Sequence, residues 1–165
     1  MKEGQFFSNI PVKPERPKIK GLVLFDTKYF AELEGTDGWI AIGQENCKNQ
    51  RYFTVVDEND QKLGIVGLYD TDDEKNISHT VVDPKYRGLG LARLFKEKLL
   101  EVTGEDFYVA TVSLDNAASL AAMAKIPGVK IDSDEEYELN FHKRKFRFER
   151  SEADKVNSQN DGAFV

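Results

Sequence analysis

A glycine-rich turn that joins a strand to an amphipathic helix constrains this chain more than any other feature. Residues 77–82 are largely apolar and β-branched and end before Pro84, which cannot continue a strand ladder. Gly88 and Gly90 follow, and apolar side chains then recur at helical spacing over residues 91–102. Glycines let several backbone N–H groups point toward one spot, and the helix N-terminus adds the positive end of its dipole. The segment therefore predicts a binding site for phosphate or pyrophosphate.

Two other phosphate-binding loops do not fit this turn. A P-loop needs Lys and then Ser or Thr after its second glycine, and Leu91 and Ala92 stand here instead. The dinucleotide-binding fingerprint needs a third glycine where this chain has Arg93. Nucleotide hydrolysis and dinucleotide binding are therefore disfavoured.

The rest of the chain predicts one mixed α/β domain. We expect an extended arm over residues 1–17, a single domain over 18–150 and a disordered tail over 151–165. The apolar pattern predicts strands at 19–25, 39–42, 52–56, 63–69, 77–82 and 107–112, and helices at 26–33, 91–102 and 116–125. Residues 137–150 predict one or two last strands, with a turn or bulge where the apolar phase shifts.

The glycine turn also resembles a known coenzyme loop. Residues 87–92, Arg-Gly-Leu-Gly-Leu-Ala, are similar to the acetyl-CoA pyrophosphate loop of the GNAT superfamily, written Gln/Arg-x-x-Gly-x-Gly/Ala. Residues 116–125 and Gly128 resemble the later segment in which that family places an Asn beside the pantetheine arm. The resemblance implies an α/β (α+β) fold with a mixed, mostly antiparallel central sheet, splayed at the acetyl-CoA site and flanked by helices.

The resemblance also assigns the coenzyme to particular residues. Backbone groups of Val81 and Val82 would bind the pantetheine arm, and Asn116 would lie beside it. Arg93 or Lys96, both on the polar face of the predicted helix, would lie near other coenzyme phosphates. The pyrophosphate would be held by the loop residues Arg87, Gly88, Leu89, Gly90, Leu91 and Ala92.

The reaction that the resemblance implies is direct transfer of an acetyl group from acetyl-CoA to an amine, without an acyl-enzyme. His79 is the candidate general base, because it lies two residues before Val81 and a neutral imidazole has a suitable pKa. A half-exposed strand histidine without a catalytic role explains it equally well, since ordered water can also remove the proton. Met123 replaces the tyrosine that often serves the family as general acid to the leaving thiolate. The alternative function is therefore a catalytically weak or inactive acyl-CoA-binding regulatory or interaction module.

Composition limits the partners and the setting. A formal charge of -6 disfavours nucleic acid as a partner. The resemblance implies an acceptor amine on a small molecule, a peptide or a protein. Cys47 is the one cysteine and no Cys/His cluster has metal-ligand spacing, so neither an internal disulfide nor a metal is expected. No window approaches the length of a membrane span. We expect a cytoplasmic protein that does not bind membranes, and the sequence leaves a homodimer open.

Overall fold

A seven-stranded sheet with helices on both faces forms the part of the chain that the structure, a computed structural model, describes: residues 15–33 and 46–155. The strands are β1 (Ile19–Leu24), β2 (Lys48–Asp57), β3 (Lys62–Asp70), β4 (Ile77–Val82), β5 (Phe107–Ser113), β6 (Val129–Ile131) and β7 (Lys143–Glu149). The α-helices are α1 (Thr27–Glu32), α2 (Leu91–Thr103), α3 (Ala117–Ala124) and α4 (Glu135–Phe141), and a short 3-10 helix spans Pro84–Tyr86.

The sheet has the order β1-β2-β3-β4-β5-β7-β6. Every neighbouring pair is antiparallel except β4 and β5, which are parallel and share one residue pair, Ile77 with Val109. The predicted mixed, mostly antiparallel sheet flanked by helices is therefore confirmed.

Two apolar clusters cover the two faces of the sheet, because alternate strand residues point to opposite sides. On one face, Leu33 after α1 packs with Ile65 and Val81. On the other face the larger cluster includes Phe95 of α2 and Met123 of α3. Burial of these side chains fixes α2 and α3 on the same side of the sheet, next to β4 and β5.

The main difference from the predicted elements is α4, because a strand was expected from residue 137 and a helix begins at Glu135. The carboxylate of Asp134 accepts a hydrogen bond from the backbone N–H of Tyr137, and acidic residues fill the first turn, where they favour a helix. Leu139 is 85% exposed. The alternation of apolar and polar residues that predicted a strand here therefore does not correspond to a buried face. The short strand β6 was not predicted.

Several predictions fall on residues that the structure does not describe. The strand expected at 39–42 lies outside the described residues, as do most of the arm and the last ten residues of the tail. Residues 15–18 have no regular secondary structure, and residues 152–155 form one helical turn. The boundaries of the arm, the domain and the tail stay predictions.

Gly64 of β3 provides a test of how closely β3, β4 and α2 pack. A methyl group at this position would overlap the backbone carbonyl oxygen of Val81 and come within 2.7 Å of the Phe95 ring. We expect Gly64→Ala to lower the free energy of unfolding by about 1–3 kcal/mol, as overpacked cores do. Gly21→Ala in β1 is the matched control, because nothing lies within 4 Å of its added methyl group. Urea denaturation measures both, and equal effects would contradict the described packing.

Candidate coenzyme and amine site

The site begins where β4 and β5 separate. Their parallel pairing consists of one residue pair, Ile77 with Val109. The backbone N–H of Val109 donates to the carbonyl oxygen of Asn76 at 2.8 Å. The Ser78 hydroxyl donates to the carbonyl oxygen of Val109 at 3.1 Å, so this end of the gap is closed. Beyond it, β4 remains paired with β3 and β5 with β7. Each strand is held by its other neighbour, and the two facing edges are left open.

A cavity of about 850 Å³ occupies this gap, within the size range of small-molecule sites. One wall comes from β4 and the other from β5, and α2 and α3 supply the rest. The lining residues are Arg16, Ser78, His79, Thr80, Gly90, Ala92, Arg93, Leu94, Lys96, Glu97, Ala110, Thr111, Val112, Ser113, Asn116, Ser119, Ala122, Met123, Lys125 and Ile126. The sheet is therefore splayed beside β4, where the resemblance expected it.

The glycine turn places unpaired backbone amides at one end of the cavity. Gly88 and Gly90 adopt left-handed φ values of 78° and 76°, which glycine reaches without strain. By ordinary hydrogen-bond geometry, no described residue accepts from the N–H groups of Gly88, Leu89 or Gly90. Gly90 is the N-cap of α2 and offers no side-chain cap, so the first amides of α2 are also available. This arrangement suits an anion at the positive end of the helix.

Positive charge near the turn comes partly from a residue that no sequence motif singled out. Arg16 lies before β1, yet its guanidinium Nη2 is 3.7 Å from the point that a side chain at Gly90 would occupy. Arg93 also lines the cavity and pairs with Glu97 at 3.0 Å. Arg87, the first residue of the motif, donates instead from Nε to the carbonyl oxygen of Val82 at 3.2 Å. Arg16 and Arg93 are therefore the guanidinium groups that line the cavity within the described chain.

Backbone alternation separates the two valines expected at the pantetheine arm. The N–H of Asp83 donates to the carbonyl oxygen of Leu63 on β3 at 2.8 Å. Every second residue of a strand points its backbone groups the same way, so the N–H and C=O of Val81 also face β3. Val82 and Thr80 have the opposite parity, and their backbone groups face the gap, where the Val82 carbonyl oxygen already accepts from Arg87. The Thr80 hydroxyl is buried without a partner among the described residues and so is available to a polar ligand. This geometry favours Val82 and Thr80 over Val81 as backbone contacts.

The other predicted loop residues have different surroundings. Leu89 and Leu91 are buried in the core, and their side chains hold the turn against the sheet. Ala92 lines the cavity. Asn116 also lines it, and its side-chain oxygen caps α3 by accepting from the backbone N–H of Ser119 at 3.1 Å. Its position beside a coenzyme arm stays a prediction.

His79 lines the cavity from the face that carries α1. The hydroxyl of Tyr52 lies 2.9 Å from His79 Nδ1, and the Tyr69 ring centroid is 5.0 Å from that of the imidazole. Tyr52 can reach across β3 because Gly67 lies between them, where an added methyl group would be 2.6 Å from a Tyr52 ring carbon. Burial, and secondarily the charge of Lys143, lowers the pKa of His79 to about 4. The imidazole is therefore neutral at neutral pH and a weak base.

Lys96 departs most from its predicted surroundings. The helical pattern placed it on a polar face, but only 8% of the residue is exposed and it lines the cavity. Its Nζ lies 3.5 Å from the sulfur of Met123 and 5.2 Å from the centre of the Tyr108 ring. Leu99 and Leu100, three and four residues later on the same face, are the sequence signal for this burial. Burial lowers the pKa of Lys96 to about 8.

A model of the acetyltransferase (GNAT) family matches residues 21–128. The chain belongs to this family. It is accordingly an acyltransferase, and the resemblance seen in the loop at residues 87–92 is confirmed. A search of the curated proteins gives no match.

Three solved structures are similar to this chain at low sequence identity. A chimera of spermidine N-acetyltransferase SpeG from Vibrio cholerae and hSSAT is 12% identical, covers 88% of this chain and 99% of its own, and has a TM-score of 0.58. The Vibrio cholerae spermidine N-acetyltransferase in complex with CoA and spermine is 14% identical, with 66% and 69% covered and a TM-score of 0.48. Campylobacter jejuni N-acetyltransferase PseH in complex with acetyl coenzyme A is 15% identical, with 62% and 69% covered and a TM-score of 0.49.

No group of three or more His, Cys, Asp or Glu side chains in residues 15–33 and 46–155 is placed to hold a metal ion. Within the same ranges, no helix has the length and apolar character needed to cross a bilayer.

The two ends of α2 give a matched test of the glycine turn. Gly90 at its N-terminus and Gly104 at its C-terminus have φ values of 76° and 75°, so alanine strains both by about 1 kcal/mol. Gly90 borders the cavity and Gly104 does not. We expect Gly90→Ala to raise the Kd for CoA about 10-fold and Gly104→Ala to leave it unchanged, measured by calorimetry. Equal Kd values in the two variants would contradict an anion site at this turn.

Proposed function

We propose that this GNAT protein transfers the acetyl group of acetyl-CoA directly to a primary amine on a small molecule, a peptide or a protein. The observation that carries the proposal is the open gap between β4 and β5, with unpaired loop amides at one end. Family membership gives the reaction class. Acetyl-CoA would supply the activated acetyl group.

The residues at the glycine turn fit the anionic part of this coenzyme. The amides of Gly88 to Gly90 and the first turn of α2 would hold the pyrophosphate, where the helix dipole favours negative charge. Arg16 and Arg93 would add charge at the same end. Val82 and Thr80 would bind the pantetheine arm along the open edge of β4, and the unpartnered Thr80 hydroxyl supports this placement.

The cavity reaches both faces of the sheet, which suits direct transfer. Lys96 and Met123 line it from the face that carries α2 and α3, and His79 lines it from the face that carries α1. The coenzyme would enter from the first face and the amine from the second. The acetyl carbonyl would then lie in the gap, with the attacking amine and the leaving sulfur on opposite sides.

His79 is the proposed acceptor of the amine proton. To act as the base, His79 would donate from Nδ1–H to the Tyr52 hydroxyl oxygen, 2.9 Å away, and accept the amine proton at Nε2. A base with a pKa of about 4 is poorly matched to neutral pH, so its contribution falls below the 10²–10⁴-fold typical of a well-matched base. Water ordered in the gap would share the task.

A thiol-release assay with acetyl-CoA and a panel of amines tests the activity itself. The panel needs polyamines, small monoamines, free lysine and peptides with a free N-terminus. We expect release that depends on at least one amine and saturates with acetyl-CoA. Calorimetric binding of acetyl-CoA without release for any amine would identify the alternative, an acyl-CoA-binding module. No binding would reject both functions.

The two histidines of the chain provide a matched test of the base. We expect His79→Asn to lower kcat about 10-fold with little change in the KM for acetyl-CoA. His142→Asn is the control, because His142 is exposed, has a left-handed φ of 52° that Asn tolerates, and does not line the cavity. Because His79 must be deprotonated, activity should rise through pH 4 and be flat near pH 6.5. An unchanged kcat in His79→Asn would reject the role.

A further inference from the structure

A buried lysine without an acidic partner in the described part of the chain lines the proposed coenzyme cavity, and no role in the proposed reaction has yet been assigned to it. Lys96 is 8% exposed and projects from α2. Its Nζ contacts the Met123 sulfur and the Tyr108 ring, and no carboxylate of a described residue pairs with it. Burying an ammonium group without such a partner costs free energy, so a purely structural role is better served by an apolar side chain.

Few charged or titratable groups face this lysine. Tyr108 packs against it from β5, and burial raises the pKa of that phenol, which therefore stays protonated. Met123 and the rest of the buried face of α3 carry no charge. The charged and titratable groups that share its cavity are Arg16, His79, Arg93, Glu97 and Lys125. Arg93 and Glu97 pair with each other, and the pKa of Lys96 is lowered by burial alone.

Position along α2 separates Lys96 from the phosphate end of the site. Lys96 is six positions after the N-cap Gly90, which corresponds to about 9 Å along the helix. The loop amides that suit pyrophosphate therefore lie more than one helical turn away from Lys96. Lys96 lies deeper, between α2, α3 and β5, on the face opposite His79. In the proposed function the sulfur of the coenzyme leaves on this face.

We propose that Lys96 is the proton donor to the leaving coenzyme thiolate, an inference that rests on the proposed acetyl transfer. The new C–N bond forms as the C–S bond breaks, and the electron pair of that bond goes to sulfur. The Lys96 ammonium gives one proton to the thiolate and takes another from water. The acceptor starts as an ammonium and loses two protons in all, so each turnover yields the amide, the thiol and one proton to solvent.

The pKa of the Lys96 ammonium is matched to that of the coenzyme thiol. An unperturbed lysine, with a pKa near 10.4, gives up its proton less readily than a thiol with a pKa near 8.5. A lysine with a pKa of about 8 is close to the thiol, and transfer between groups of similar pKa is efficient. The donor must be protonated, so wild-type kcat should fall as the pH rises through about 8.

The test uses Lys96→Met with Lys98→Met as its control. Methionine is unbranched and only one atom shorter than lysine, and it carries no charge, so the first variant should fold with a Tm at pH 7 equal to or above that of the wild type. Lys98 is on the same helix, pairs with Glu101 and does not line the cavity. We expect Lys96→Met to lower kcat at pH 7 by about 10–100-fold and to lose the alkaline fall, with the KM for acetyl-CoA little changed. Lys98→Met should behave as the wild type.

A binding measurement tests the same contact without turnover. Near pH 8 the wild type and Lys98→Met should bind CoA about 10-fold more tightly than desulfo-CoA, which lacks the sulfur, and Lys96→Met should bind both equally. Equal weakening of both ligands by Lys96→Met would make Lys96 a phosphate anchor and overturn the proposal. An unchanged preference for CoA in Lys96→Met would also overturn it. A wild type that binds CoA but acetylates no amine defeats the proposed function, and the binding ratio still decides the role of Lys96.

Discussion

The separation of β4 from β5 after a single residue pair is the constraint on which the rest of the site depends. Each strand is hydrogen-bonded along its other edge, β4 to β3 and β5 to β7, so the sheet stays intact while the two inner edges remain open. Asn76 and Ser78 close one end of the gap with bonds to Val109 and thereby set where it begins. A sheet that is continuous elsewhere thus contains an opening that a ligand can cross.

The two faces of this opening differ in chemistry. On the α1 side, Tyr52 reaches over the space left by Gly67 to hold His79, whose burial keeps it neutral. On the α2 and α3 side, Lys96 is an ammonium among apolar side chains. The glycine loop lies at the start of α2, about 9 Å from Lys96 along the helix axis. This division supports a reaction in which one face accepts a proton and the other returns one.

Local sequence signals predicted most elements correctly and failed where burial was inferred from alternation alone. The helix that begins at Leu91 and ends before Gly104 was predicted from its periodic apolar residues and its glycine cap. Residues 135–141 form a helix instead of a strand, because the Asp134 cap and the acidic first turn outweigh an alternation whose apolar members stay exposed. Lys96 was assigned to a polar face because the sequence does not show which neighbouring elements pack over that face.

By itself, the sequence determined the family, through the loop at residues 87–92, and the local conformations that the glycines, caps and apolar periods impose. These depend on bonds and sterics between residues close together in the chain. Tertiary structure alone decided that Arg16 lies beside Gly90, that Tyr52 reaches His79 and that Lys96 contacts Met123. Each of these pairs is separated by at least 27 positions in the chain. Such contacts arise only when the packing of helices and strands fixes the register of the whole sheet, which no local pattern encodes.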